Sequence, residues 1–177
     1  AEPDDLEQFV VKVFHPVDIG GGEAAEREAL EAFLDGARVQ AAVAAQPGAH
    51  WAPIRQSGTA DGEAYYVTDY FPHSALDLMK VSLDARALHT VIASVIEGLL
   101  ELRESAGRPH GNLKPSNVLI RSGEDLARTR VVLTDPVPTT ELELTTAAAS
   151  DIRAVGQLIY QLVLHKPPGV LGDRVIQ

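Results

Sequence analysis

Residues 110–120 read His-Gly-Asn-Leu-Lys-Pro-Ser-Asn-Val-Leu-Ile, which sets an imidazole, two carboxamides and an ammonium group close together. Asp135 stands downstream, followed by Pro136, and Lys12 stands far upstream among apolar neighbours. A carboxamide such as Asn112 carries no charge and is no base near pH 7. Read residue by residue, Asn112 and Asn117 are loop-capping groups that bond nearby backbone. On the same reading Asp135 is a turn residue ahead of Pro136, and Lys12 is an exposed cation on a strand.

The elements that must position these groups follow from periodicity. Phe9-Val10-Val11-Lys12-Val13-Phe14 is β-branched and apolar around one lysine, the pattern of a short strand. Gly20-Gly21-Gly22 follows it; without a trailing G-K-[ST] or the G-x-G-x-x-G spacing, it reads as a flexible link. From Glu23 to about Ala45 the apolar residues Ala29, Leu30, Phe33, Leu34, Ala37 and Ala41 keep a helical period. Gln46-Pro47-Gly48 stops that helix. Trp51–Ile54 and Tyr65–Tyr70 are expected to be two strands around an Asp61-Gly62 turn. Ser82 is expected to cap a long helix with Asp84 in its first turn. Its stripe runs through Leu88, Val91, Ile92, Val95, Ile96, Leu99 and Leu100 to about Ala106, and Gly107-Arg108-Pro109 ends it. His89, on this helix, is expected at the surface. Two short strands, Val118–Ile120 and Val131–Thr134, then flank a polar link over 121–130.

Taken together, the run His110–Ile120 closely resembles the catalytic loop of the protein kinases, H-R-D-L-K-P-x-N-[IV]-L, with Gly111 for Arg and Asn112 for Asp. Ser150-Asp151-Ile152-Arg153-Ala154-Val155-Gly156 resembles the family's helix F start, and Pro167-Pro168 its terminus in many bacterial members. The resemblance implies an α+β, protein kinase-like two-lobe fold of the bacterial Ser/Thr type, in reduced form. Residues 1–71 would form a small sheet lobe with helix C, and residues 72–177 a helical lobe truncated after helix F.

By the same resemblance Lys12 is the lysine that reaches nucleotide phosphates. Thr68 would be the gatekeeper, and Asp69-Tyr70-Phe71 the hinge that meets an adenine edge. Asn117 and Asp135 would hold Mg²⁺, and Lys114 would steady the transferring phosphate. Asp151 would support the catalytic loop's backbone. Several departures imply that phosphotransfer is lost. Asn112 replaces the base. Only eleven residues precede Lys12, too few for two strands and a Gly-rich turn. Phe33-Leu34-Asp35-Gly36-Ala37-Arg38-Val39-Gln40, which resembles the bacterial F-L-R-E-A-R-x-Q run, puts Gly36 at the helix C glutamate and leaves Glu28, Glu31 or Asp35 as substitutes only if the helix shifts or rotates. Asp135-Pro136-Val137 stands for D-F-G, and Val137 is a poor residue for positive φ. Fifteen residues separate Asp135 from Asp151, which leaves little room for an activation segment.

The resemblance thus implies a pseudokinase: a scaffold or switch that binds another protein, with ATP and Mg²⁺ bound weakly or not at all. A homodimer is one form such a partner could take, and an apolar surface is expected where later helices are missing. The alternative is a degenerate ATP-dependent Ser/Thr kinase or another ATP-using transferase, with Lys12, Asn117 and Asp135 as its motivation. Composition narrows the rest. Fifteen Lys+Arg against 25 Asp+Glu give a formal charge of −10, which excludes a phosphate-backbone binder of nucleic acid. The chain has no cysteine, no apolar run near 18 residues, and an acidic start, Ala1-Glu2-Pro3-Asp4-Asp5. These features fit a cytoplasmic address, including the cytosolic part of a longer, membrane-anchored protein.

Overall fold

A computed structural model describes residues 7–15, 22–137 and 144–165. Strand β1 (Phe9–Val13) is followed by helix α1 (Gly22–Ala44), then by β2 (Ile54–Ala60) and β3 (Glu63–Asp69). A two-residue strand β4 (His73–Ser74) leads into the short helix α2 (Ala75–Leu78) and the long helix α3 (Ala85–Ala106). A 3₁₀ turn (Pro115–Asn117), β5 (Val118–Ile120), β6 (Val131–Leu133) and helix α4 (Leu144–Leu164) complete the order.

The first sheet is antiparallel in the order β1-β3-β2. Its β2–β3 hairpin turns at Asp61-Gly62, both at positive φ, as the Asp-Gly pair requires. Alternation along β3 turns Ala64, Tyr66 and Thr68 inward, and Lys12 pairs in register with Tyr66. Packed against β2 and β3, α1 buries Gly36, Ala37, Gln40 and Val43. A second sheet, ordered β4-β5-β6, carries the loop that follows α3.

The core surrounds α3. Val91, Val95 and Leu102 pack with Trp51, Val118, Ile120 and Leu133, and α4 adds Leu158 and Leu162. Fully burying each such side chain contributes about 1.5–3 kcal/mol, so α3 is the element on which the other parts converge.

Several boundaries differ from the sequence reading. Trp51 lies outside the first strand of the hairpin, which starts at Ile54. It forms an isolated bridge with Leu133, donates from Nε1 to the Gly98 carbonyl at 2.9 Å, and is fully buried against α3. Tertiary packing, rather than β-propensity, sets its place. Asp84, not Ser82, caps α3, its carboxylate accepting from the Ala87 amide at 2.7 Å. Helix α4 begins at Leu144, six residues before the Ser150-Asp151 pair that resembles a helix start. His89 is exposed, as expected. Gly20, Gly21, the acidic first residues and Pro167-Pro168 lie outside the described residues.

Candidate functional site

The site is built where β1, β3, α1 and the segment after β6 converge, around an open cleft of about 590 Å³. Lys12 enters it from β1 and places its Nζ 2.5 Å from Asp135 Oδ2. From β3, Tyr66 donates its hydroxyl to the other carboxylate oxygen, Asp135 Oδ1. Burial, and then the Asp135 charge, push the Tyr66 phenol well above its usual range, so it serves as a donor throughout the physiological range. Phe33 packs on the Tyr66 ring at 5.3 Å, and Phe14 on Phe33 at 5.6 Å, giving the cleft an aromatic wall.

The backbone of Asp135 is held as firmly. Its amide donates to Gln40 Oε1 on α1 at 2.9 Å, and Gln40 Nε2 donates onward to the Ala52 carbonyl at 2.8 Å. Asp135 stands at φ 61°, a left-handed conformation that aspartate tolerates better than most residues. The positive φ of the Asp-Pro-Val triplet thus falls on its first residue.

Gly36 explains the missing helix glutamate. A Cβ built at this position would lie 2.7 Å from the Pro136 carbonyl oxygen, inside any normal contact. Helix α1 therefore rests on the Asp135-Pro136-Val137 turn, with backbone where a side chain would otherwise project. None of the candidate substitutes meets Lys12. Asp35 pairs instead with Arg108 Nη1 at 2.9 Å, and Glu28 and Glu31 do not line the cleft.

The loop at 110–117 is fixed by its own polar residues. Asp151, buried on α4, accepts from the His110 amide at 2.7 Å and the Gly111 amide at 3.0 Å. Burial raises its carboxyl above the usual range, and these two amides work against that rise. His110 is fully buried and stacks on Trp51 at 5.5 Å. Burial lowers its imidazole to about 4, so it is neutral at pH 7. Its Nδ1 accepts from the Asn112 amide at 3.2 Å. Asn112 Nδ2 donates to the Asp135 carbonyl at 3.3 Å, and Asn117 Nδ2 to the Asn112 carbonyl at 2.9 Å.

Of the residues named from sequence, Lys12, Asn112 and Asp135 meet at the cleft. Asn117 is buried beneath it. Lys114 is exposed and borders a separate cavity of about 100 Å³ against α4. Thr68 is buried and donates to the Pro53 carbonyl at 2.8 Å. Asp69 forms a two-point pair with Arg55 at 2.6 and 3.0 Å. Phe71 is buried under the Arg121 guanidinium, 4.3 Å from its ring centre. Between them, the Tyr70 amide donates to the Gln8 carbonyl and the Tyr70 carbonyl accepts from Arg121.

A magnesium ion at Asp135 would share its carboxylate with the Lys12 ammonium and the Tyr66 hydroxyl, each of which donates to one of its two oxygens. Among the described residues no group of three or more His, Asp or Glu side chains offers another metal site. Sequence reasoning gave no role to Tyr66, which carries no motif, or to Gln40, although Gln40 closes the family-like run Phe33–Gln40. The signal at Tyr66 was a polar group at a position turned inward by strand period.

No family model matches the chain. A curated relative, an inactive leucine-rich repeat receptor-like serine/threonine-protein kinase of Arabidopsis thaliana, is 32% identical over 106 residues, covering 55% of this chain and 16% of the relative. A double mutant of the Mycobacterium tuberculosis PknI kinase domain has TM-score 0.65 at 20% identity, over 90% of this chain and 65% of that one. A single mutant of the same domain has TM-score 0.60 at 22% identity, over 94% and 66%. The chain therefore has a protein kinase-like fold. It spans about 65% of the solved kinase domain and 16% of the curated relative. Among the described residues no helix is long and apolar enough to cross a membrane.

Proposed function

We propose that this chain is a pseudokinase module that works by binding another protein and transfers no phosphoryl group. The observation that carries this reading is the state of Asp135, whose carboxylate is held by Lys12 and Tyr66. Asn112, at the position of the base, is spent as a donor to the Asp135 backbone. Phosphoryl transfer rests on positioning and charge stabilisation of the phosphates. Here the groups that would supply both are turned toward one another. The hinge backbone at Tyr70 is likewise engaged by Gln8 and Arg121. On this reading the module needs neither ATP nor Mg²⁺, and it acts in the cytoplasm, alone or as part of a longer protein.

The test is a thermal-shift titration with ATP and ADP, with and without Mg²⁺, on the wild type and on Lys12→Ala. A ligand at about 100 times its Kd stabilises by roughly 2.7 kcal/mol, enough to move the midpoint by several degrees. The expected result is no shift at millimolar nucleotide. A Mg²⁺-dependent shift lost in Lys12→Ala would replace this reading with a nucleotide-sensing one. Phosphotransfer that depends on Lys12 would overturn the pseudokinase assignment altogether.

A further inference from the structure

The segment Ala49-His50-Trp51-Ala52 lies between α1 and β2 and is tied to several of the elements around it. The Trp51 indole donates to the Gly98 carbonyl on α3. The His50 carbonyl accepts from the Leu133 amide on β6 at 2.8 Å, and the Ala52 amide donates to the Leu133 carbonyl at 2.9 Å. Gln40 on α1 donates to the Ala52 carbonyl. Within this joint His50 is the one ionisable side chain.

Its ring lies between two carboxylates of α3, Glu97 and Glu101, about one helical turn apart. Glu101 grips His50 at two points: Oε2 accepts from the backbone amide at 2.8 Å, and Oε1 meets Nδ1 at 2.8 Å. An ionised carboxylate only accepts, so Nδ1 carries a hydrogen. At the other edge of the ring, Nε2 lies 3.1 Å from Glu97 Oε2. That second contact is favourable only while Nε2 also carries a hydrogen and the ring is an imidazolium. In the neutral ring the Nε2 lone pair would face a carboxylate oxygen, and the two glutamates would stand as like charges at i and i+4.

The two carboxylates differ in their freedom to respond. Glu101 keeps 26% of its side chain exposed and is fixed by the backbone amide as well as by the ring. Glu97 has 58% exposed and, among the described residues, bonds nothing else. The remaining charged group bonded to the joint is Arg130, whose Nη2 meets the Ala49 carbonyl at 3.5 Å and not the ring.

From this geometry we infer that His50 is a proton-operated switch between the joint and α3. The charged ring bridges Glu97 and Glu101. When a proton leaves, it leaves from Nε2: the ring stays on Glu101 through its Nδ1 hydrogen, Glu97 turns into solvent, and Nε2 becomes an acceptor. The α3 surface thereby gains one negative charge and frees a carboxylate. Histidine is the side chain that ordinarily changes charge between about pH 5 and 8, so the switch works around neutrality. His50, Glu97 and Glu101 do not line the cleft at Asp135, and the switch stands apart from the pseudokinase reading.

The test is an NMR titration of the isotope-labelled chain from about pH 5 to pH 8, with the six histidine rings assigned through the backbone. The expected result is a neutral His50 ring with its hydrogen on Nδ1, read from the ring nitrogen shifts. The Glu97 carboxyl signal should move with the same midpoint, while that of Glu101 stays. The tautomer discriminates, because a ring released from Glu101 has no reason to hold its hydrogen at Nδ1. Glu97→Gln, whose amide can donate to a neutral Nε2, should lower the midpoint by about half a pH unit or more. Circular dichroism verifies that this variant is folded. A neutral ring with its hydrogen on Nε2 would overturn the inference, and so would a Glu97 signal that does not follow the ring. A ring that keeps one charge state across the range, or a midpoint unchanged in Glu97→Gln, would do the same.

Discussion

Two glycines in helical interiors, Gly36 in α1 and Gly156 in α4, make a paired experiment on how α1 meets the segment after β6. Replacing a mid-helix glycine by alanine stabilises by roughly 0.5–1 kcal/mol when nothing opposes the new methyl group. At Gly156 nothing lies within 4 Å of the added Cβ. The full gain is expected there, which for a chain of this size raises Tm by about 1–4 °C. At Gly36 the same methyl would lie 2.7 Å from the Pro136 carbonyl oxygen. That carbonyl cannot easily retreat, because the Asp135 amide is bound to Gln40 and the Val137 amide donates to the His110 carbonyl at 2.8 Å. Overpacking of this kind costs about 1–3 kcal/mol, which exceeds the helix gain. Gly36→Ala should therefore destabilise by about 1–2 kcal/mol and lower Tm by roughly 2–8 °C. Urea and thermal unfolding, followed by far-UV circular dichroism, read both variants. Equal stabilisation by the two substitutions would refute the contact between α1 and Pro136, and with it the explanation for the missing helix glutamate.

Two further outcomes follow from the same geometry. His110 has a folded-state pKa of about 4, below its unfolded value of about 6.5. Its depressed pKa therefore contributes stability that is lost as pH falls from 6.5 toward 4. The loss from pH 7 to pH 5 works out at about 2 kcal/mol by linkage. Asp151, with its pKa raised, acts in the opposite sense, so the His110 share is read as the difference in pH slope between wild type and His110→Phe; parallel slopes would show that His110 does not carry it. Asn112→Asp, which restores a carboxylate at the base position, should destabilise by about 1–2 kcal/mol in urea unfolding and yield no phosphotransfer, because the new group cannot donate to the Asp135 carbonyl and adds a negative charge beside Asp135.

The long elements were legible because their signals are local. The stripes of α1 and α3 repeat at helical spacing over more than three turns, and the β-branched run around Lys12 and the Asp61-Gly62 pair specify β1 and the hairpin turn. Boundaries were less legible where a tertiary partner decides. Trp51 looks like a strand residue, yet it is held by the Gly98 carbonyl and by His110, residues 47 and 59 positions away. Ser150-Asp151 looks like a helix start, but Asp151 spends both oxygens on another segment, and the Ala-rich run before it lets α4 begin earlier. The site was half legible for a related reason. Lys12 and Asp135 lie 123 positions apart, and only a motif could suggest that they meet. Gly36 could be recognised as a missing glutamate, whereas the Pro136 carbonyl that takes up the space belongs to a turn a hundred residues away. Tyr66 and Gln40 are ordinary residues in a strand and a helix, and they acquire roles only because Asp135 is brought to them.

The hydrogen bonds of the loop at 110–117 give the reason it holds its form with asparagine at position 112. Its polar residues serve the backbone: Asp151 holds the amides of His110 and Gly111, Asn117 holds the carbonyl of Asn112, and Asn112 holds the carbonyl of Asp135. The Thr134 amide returns to the Asn117 carbonyl, and the Val137 amide to that of His110, which closes the circuit between the loop and the segment after β6. A carboxylate at position 112 could only accept, whereas a carboxamide can donate to the carbonyl it faces. A carboxamide at position 112 therefore gives the loop a tie that a carboxylate there could not provide. The same holds at the cleft, where Lys12 and Tyr66 satisfy the partly buried carboxylate of Asp135. In an ionic pair with less than a third of each side chain exposed, removing either partner leaves the other partly buried and uncompensated. Lys12, Asp135 and Asn117 thus each serve the fold without a nucleotide, so their presence alone is no argument for one.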